Sequence, residues 1–114
     1  MNISVVDLRM GNIFNLERAI NFVGGSTSFV RKKADISHSE KIILPGVGNF
    51  KAAMGILRSE GLDKAIKEKA IEGVPILGIC LGQQLLMECS EENELTSGLG
   101  LIPGKVIYFY NEKS

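Results

Sequence analysis

Val74-Pro75-Ile76-Leu77-Gly78-Ile79-Cys80-Leu81-Gly82-Gln83-Gln84-Leu85-Leu86 is the stretch around which the chain is organised. Its first half is an apolar run without alternation, which predicts a strand buried on both faces. Its second half carries leucines and glutamines at helical spacing, so strand gives way to helix around Cys80. Gly78 and Gly82 flank the cysteine at two residues on each side, giving Gly-x-Cys-x-Gly. That is the thiol form of the strand–turn–helix elbow that presents a nucleophile. Glycines are needed there because the turn is strained and brings backbone too close for a Cβ. A thiol opening a helix also meets the positive end of the helix dipole, which favours thiolate. A cysteine without flanking glycines is most often a small buried apolar residue; with them, Cys80 is expected to be a nucleophile.

Upstream, Asn2 to Asp7 predicts a first buried strand, followed by a loop through Leu8-Arg9-Met10-Gly11, with Asn12 as a helix N-cap. Ile13, Leu16, Ile20 and Val23 recur at helical steps and predict one apolar helix face, stopped by Gly24-Gly25. Ser26 to Val30 predicts a short strand. The polar loop beyond it holds Arg31, Lys32, Lys33 and His38; its basic triplet is expected to be solvated rather than to grip an anion. Lys41 to Leu44 predicts a third strand, ending in Pro45-Gly46-Val47-Gly48-Asn49. Phe50, Ala53, Met54 and Leu57 predict a helix capped by Asn49. Leu62, Ala65, Ile66 and Ala70 predict another, punctuated by Gly73-Val74-Pro75. After the elbow, Ser90 to Ser97 is expected to be a surface loop, Gly98 to Gly104 a glycine-rich segment and Lys105 to Tyr110 a strand.

Strands alternating with helices imply an α/β fold with a mostly parallel sheet and flanking helices. In such sheets ligands gather at the carboxyl ends of the strands. Asp7–Asn12, Pro45–Asn49 and the Cys80 elbow fall on that one edge and are expected to form a single rim. A thiol attacking a carbonyl or amide needs donors for the oxyanion, and the residue after the nucleophile, Leu81, supplies one backbone N–H. The glycines of Pro45-Gly46-Val47-Gly48 suit it to supply the second, unless it is a plain strand-to-helix turn.

The chain has 114 residues, 45% hydrophobic and 23% charged, which fits one globular domain over 1–114. Thirteen basic and thirteen acidic residues cancel, so no general field for nucleic acid or a membrane surface is implied. No apolar stretch approaches the ~20 residues needed to span a bilayer. The amino end enters a strand pattern at once, leaving no room for a signal peptide, so a cytoplasmic protein is expected. Cys80 and Cys89 match neither a zinc pair nor a redox Cys-x-x-Cys, and no metal or cofactor is expected.

Pro45-Gly46-Val47-Gly48, Gly78-Ile79-Cys80-Leu81-Gly82-Gln83-Gln84-Leu85-Leu86 and Gly98-Leu99-Gly100-Leu101-Ile102-Pro103-Gly104-Lys105-Val106 together resemble class I (triad) glutamine amidotransferases. Among these the chain is most similar to the glutaminase-subunit type of imidazole glycerol phosphate synthase in histidine biosynthesis. The resemblance implies a flavodoxin-like fold in which Cys80 attacks the side-chain amide of L-glutamine, forms a glutamyl thioester and releases ammonia. Gly46, Val47 and Leu81 would form the oxyanion hole, and Gly48 and Gln84 would contact the substrate. The ammonia would pass to a synthase/cyclase subunit in a heterodimer making imidazole glycerol phosphate and AICAR.

The sequence departs from the family pattern in places. Leu8-Arg9 stands where the family has Tyr-Gly in Asp-Tyr-Gly-x-Gly-Asn, Lys51 where glycine is usual and Gln83 where methionine is usual. The family's C-terminal His-x-Glu has no counterpart, and the one histidine, His38, lies in a polar loop and is expected to be an ordinary surface residue. The chain therefore resembles the N-terminal portion of such an enzyme, C-terminally incomplete and inactive alone. Three alternatives stand beside that reading: an amidotransferase subunit for cell-surface sugar amidation, a non-catalytic partner-docking module, and a small cysteine-elbow protein of the stress-protein type. Pro45–Gly48 speaks against the last.

Overall fold

The computed structural model describes residues 1–92 and 94–107. Strands β1 (Asn2–Val6), β2 (Ser26–Val30), β3 (Ile42–Gly46) and β4 (Ile76–Cys80) form a parallel sheet in the order β2-β1-β3-β4. Helix α1 (Ile13–Phe22) connects β1 to β2; α2 (Phe50–Ser59) and α3 (Leu62–Ile71) connect β3 to β4. The alternation of side chains along each strand sends them to two faces. Val6, Ile42 and Leu44 meet α2 and α3 through Phe50, Ala53, Met54, Leu57, Leu62 and Ile66. Val5 and Ile43 turn the other way, toward Ile20 and Leu16 of α1. The helices thus change sides between β1 and β3, and a crevice opens at the carboxyl ends of those strands.

The helix boundaries follow from side-chain chemistry. The Asn12 side-chain amide oxygen accepts from the Phe14 backbone N–H, and the Asn49 side chain accepts from that of Ala52. Gly24, at φ +94°, continues the chain in the left-handed region after α1 ends. Val23 does not belong to the apolar face of α1: it is the C-cap residue and is 80% exposed. A 3₁₀ turn at Lys33–Ile36 interrupts the polar loop after β2 and buries Ile36.

The largest difference from the sequence reading is at β4. Its apolar run predicts burial on both faces, yet Leu77 is 56% exposed. The physical reason is position: β4 pairs with β3 alone among the described residues, and α1 covers the far half of that face. The elbow helix α4 (Leu81–Leu85) is also much shorter than the leucine and glutamine spacing implies. Strand β5 (Met87–Ser90) follows immediately and forms a second, three-stranded sheet with β6 (Thr96–Ser97) and β7 (Ile102–Val106), in the order β6-β5-β7. The expected surface loop from Ser90 to Ser97 therefore contains a short strand, and the expected strand at Lys105 begins earlier, at Ile102. Tyr108 to Tyr110 lie outside the described residues. Pro103 and Gly104 are tolerated because β7 is largely exposed and has a partner on one side only among the described residues.

Candidate active site

Register places the elbow. β3 and β4 run parallel with Gly46 opposite Cys80, so the end of the Pro45–Gly48 segment lies beside the cysteine. Cys80 has φ +56° and ψ −121°, a conformation that costs a non-glycine residue free energy, and its side chain is exposed. The two flanking glycines do different things. A Cβ on Gly78 would lie 2.7 Å from backbone atoms of Gln83, so its absence lets the new helix fold back over the strand. A Cβ on Gly82 would run into the backbone carbonyl of Leu44, so its absence lets α4 press onto β3.

With only five residues, α4 carries a much smaller dipole than the extended helix the sequence suggested. What fixes its end is a strap from downstream. The backbone N–H of Leu99 donates to the Leu85 carbonyl, those of Leu101 and Ile102 to the Leu86 carbonyl, and that of Gly100 to the Met87 carbonyl. These bonds satisfy carbonyls that a helix end leaves without partners. Gly98 belongs to the same strap, and a Cβ there would meet the Met87 carbonyl.

Three loops converge on a cleft of about 170 Å³ beside Cys80. Met10, Gly11 and Asn12 come from the loop after β1; Pro45, Gly46 and Val47 from the end of β3; Ile79 and Cys80 from β4; Ile13 and Leu16 from α1. The loop after β1 is pressed against the β3 loop: a Cβ on Gly11 would sit 2.9 Å from Val47 Cγ2. Arg9 takes φ +59°, the left-handed conformation of a glycine. Asp7 supports that turn. Its carboxylate is 6% exposed, accepts the Arg9 backbone N–H at 2.8 Å and pairs with Arg31 Nε at 2.9 Å. A buried carboxylate so satisfied is tolerable where an unpaired one would not be.

Of the expected site residues, Gly46, Val47 and Cys80 line this cleft together. Leu81, Gly48 and Gln84 do not line it. Leu81 is buried, with its Cβ 3.4 Å from where a Cβ on Gly46 would sit, and Gln84 is half-buried on α4. His38 is exposed just before β3 begins, at the opposite end of the sheet from Cys80. No histidine, aspartate or glutamate side chain among the described residues lines the cleft with Cys80. The basic triplet is partly engaged within the chain. Arg31 pairs with Asp7, and the Arg31 and Lys32 backbone amides donate to Asp35. Those bonds, the Arg31 amide first, hold the Asp35 carboxyl below its usual range. A larger groove, about 790 Å³ between the 3₁₀ turn and α3, lies away from the cysteine.

The Asp7–Arg31 pair escaped the sequence reading. Its signal was present: the β1–β2 register sets Val6 opposite Val30, so the next residues, an acid and a base, are neighbours. Ile13, Leu16 and Ile79 were missed as cleft residues because their spacing marks them as core.

The sequence profile of the CobB/CobQ-like glutamine amidotransferase domain matches residues 3–113. The chain belongs to this family. It is 47% identical over 104 residues to the imidazole glycerol phosphate synthase subunit HisH of Listeria monocytogenes serotype 4a (strain HCC23), covering 91% of this chain and 50% of that protein. It is 45% identical over 105 residues to the HisH subunit of Geobacillus sp. (strain WCH70), covering 92% and 50%. The chain thus spans about half the length of the curated relatives it matches. Among solved structures, a glutamine amidotransferase superposes with TM-score 0.76 at 23% identity, over 88% of this chain and 52% of that one. A peptidase E candidate from Listeria monocytogenes EGD-e gives TM-score 0.72 at 15% identity, over 89% and 62%. These two likenesses concern the fold. Among the described residues no helix of this amidotransferase domain is long and apolar enough to cross a membrane, and no group of three potential metal-ligating side chains is present.

Proposed function

We propose that this chain provides the nucleophile half of a glutamine-hydrolysing site. The observation that carries the reading is the pairing of Gly46 with Cys80, which sets an exposed thiol in a strained turn beside a glycine-bearing loop. The Cys80 sulfur adds to the carboxamide carbon of glutamine. The Leu81 N–H and a peptide N–H of Gly46–Gly48, centred on Val47, stabilise the oxyanion. The C–N bond then breaks, ammonia leaves with a proton, and water hydrolyses the thioester to glutamate. Gln84, outside the lining of the cleft and one helical turn beyond the thiol, is proposed to help hold the substrate.

Protonating the leaving ammonia and deprotonating the water require a positioned acid–base group. The cleft lines none among the described residues, so the chain by itself does not turn over. Loss of a catalytic base costs on the order of 10⁴-fold or more in rate. The likeness to HisH supports imidazole glycerol phosphate synthase as the acceptor system, with the ammonia used by a synthase subunit in a cytoplasmic heterodimer.

The test is glutamate release from glutamine by the purified 114-residue chain, alone and with the second half of a HisH relative supplied. No turnover alone is expected. Robust turnover alone, abolished by Cys80→Ala, would overturn the half-site reading and make His38 the first base to examine. In a protein extended to full length and paired with its synthase, Cys80→Ala should abolish glutamine-dependent synthesis and spare synthesis from added ammonium. Loss of both in a folded complex would overturn the assigned role of the thiol.

A further inference from the structure

Asp7 and Arg31 stand outside the lining of the cleft, yet they sit at the root of one of its three loops. The Asp7 carboxylate accepts the Arg9 backbone N–H with one oxygen, at 2.8 Å, and Arg31 Nε with the other, at 2.9 Å. Both partners are anchored in turn: the Asp7 N–H donates to the Val30 carbonyl at 2.8 Å, and the Arg31 N–H to Asp35 at 3.1 Å. The residue held by this pair, Arg9, has φ +59°, a conformation that glycine takes unaided and arginine does not. The next two residues meet the end of β3. Met10 Cε lies 3.1 Å from where a Cβ on Gly48 would sit, and Val47 Cγ2 lies 2.9 Å from where one on Gly11 would sit. Val47 is otherwise 52% exposed, and Gly48 follows it at φ +101°. The segment read above as an oxyanion donor is thus gripped from the β1 side, by a turn whose shape depends on a charge pair. Without the Arg31 side chain the buried Asp7 carboxylate keeps its charge and loses a donor; it must admit water or turn outward, and the Arg9 turn moves with it.

We propose that Asp7 and Arg31 are positioning residues for the oxyanion hole. Through the left-handed turn at Arg9 they hold Met10 and Gly11 against Gly48 and Val47, and so set the direction of the peptide N–H offered to the substrate. The inference rests on the glutaminase reading of Cys80. A displaced donor slows formation of the tetrahedral oxyanion and leaves glutamine binding and the alkylation of the thiol in place.

The experiment compares Arg31→Gln, Asp7→Asn, Arg31→Gln combined with Arg9→Gly, and the control Arg18→Gln, which removes a positive charge from an exposed site on α1. In the 114-residue chain, nuclear Overhauser contacts from the Val47 methyls to Gly11 Hα and from the Met10 methyl to Gly48 Hα read the grip directly. In the full-length protein paired with its synthase, as for Cys80→Ala above, glutamate release gives kcat and KM, and iodoacetamide gives the alkylation rate of Cys80. Arg31→Gln is expected to weaken both contacts and to lower kcat about tenfold, short of the roughly 10²–10³ that loss of an oxyanion donor costs. KM and the alkylation rate should stay within about twofold. Asp7→Asn should lower kcat in the same way, and Arg18→Gln should change nothing. Adding Arg9→Gly to Arg31→Gln should restore most of the lost kcat, because glycine keeps the turn without support. Unchanged contacts or unchanged kcat in Arg31→Gln overturn the proposal. So does a rise in KM at constant kcat, a parallel fall in alkylation, or a failure of Arg9→Gly to restore the rate. If the unaltered full-length protein releases no glutamate, the glutaminase reading fails, and the two Overhauser contacts alone uphold or overturn the grip on Val47 and Gly48.

Discussion

The two faces of the four-stranded sheet are built from the same kinds of residue and end in different states. On one face α2, α3 and α4 close over β1, β3 and β4, and Leu44, Phe50, Ala53, Leu57, Leu62 and Ile66 are all at 1% exposure or less. On the other, α1 closes over β1 and β2, Ile43 is still buried, and one strand further along Leu77 is open. Leucines in mid-strand apolar runs therefore differ completely in burial between β3 and β4. An apolar pattern encodes a demand for cover, and the neighbouring strand and helix decide whether that demand is met.

The sharpest way to break this comparison is at the closed face. Gly82→Ala should have the largest effect, because its methyl meets the Leu44 carbonyl and neither backbone can yield without separating α4 from β3. A loss above about 4 kcal/mol, or no folded protein, is expected by chemical denaturation. Phe50→Ala empties a fully buried site on the same face and should cost about 3–5 kcal/mol. Arg9→Gly changes the sign: it removes the cost of a left-handed arginine, less the added freedom of the unfolded glycine, and should stabilise by up to about 1 kcal/mol. Leu77→Ala on the open face should alter stability of the isolated chain by less than about 0.5 kcal/mol. A cost near that of Phe50→Ala would mean that this face is already covered. At the smallest scale, brief iodoacetamide treatment should label Cys80 before Cys89, since Cys80 is exposed and Cys89 is half-buried in β5. Equal labelling of a folded sample would count against the elbow.

Much of this arrangement was legible beforehand because local chemistry dictates it. Asn12 and Asn49 announced their helices, the Phe50–Leu57 spacing announced its face, and the glycines around Cys80 announced the turn. The rim of three loops followed from strand–helix alternation. What the sequence concealed was set at a distance. Leu85 and Leu86 continue a helical pattern, but the strap at Leu99–Ile102 takes their carbonyls and the chain turns into β5. Leu77 looks like any core leucine, and only the sheet order shows it at an edge among the described residues. Gln84 has the spacing to face the thiol, and among the described residues it stands outside the lining of the cleft.

The strap has a consequence in time as well as in space. The elbow helix is held at its end by backbone donors that lie 14 to 16 positions later in the chain. During synthesis, at roughly 5–20 residues per second, Cys80 leaves the ribosome about a second or more before those donors do. For that interval the thiol belongs to an unfinished turn. The emerging chain carries its nucleophile first and acquires the geometry that would arm it afterwards.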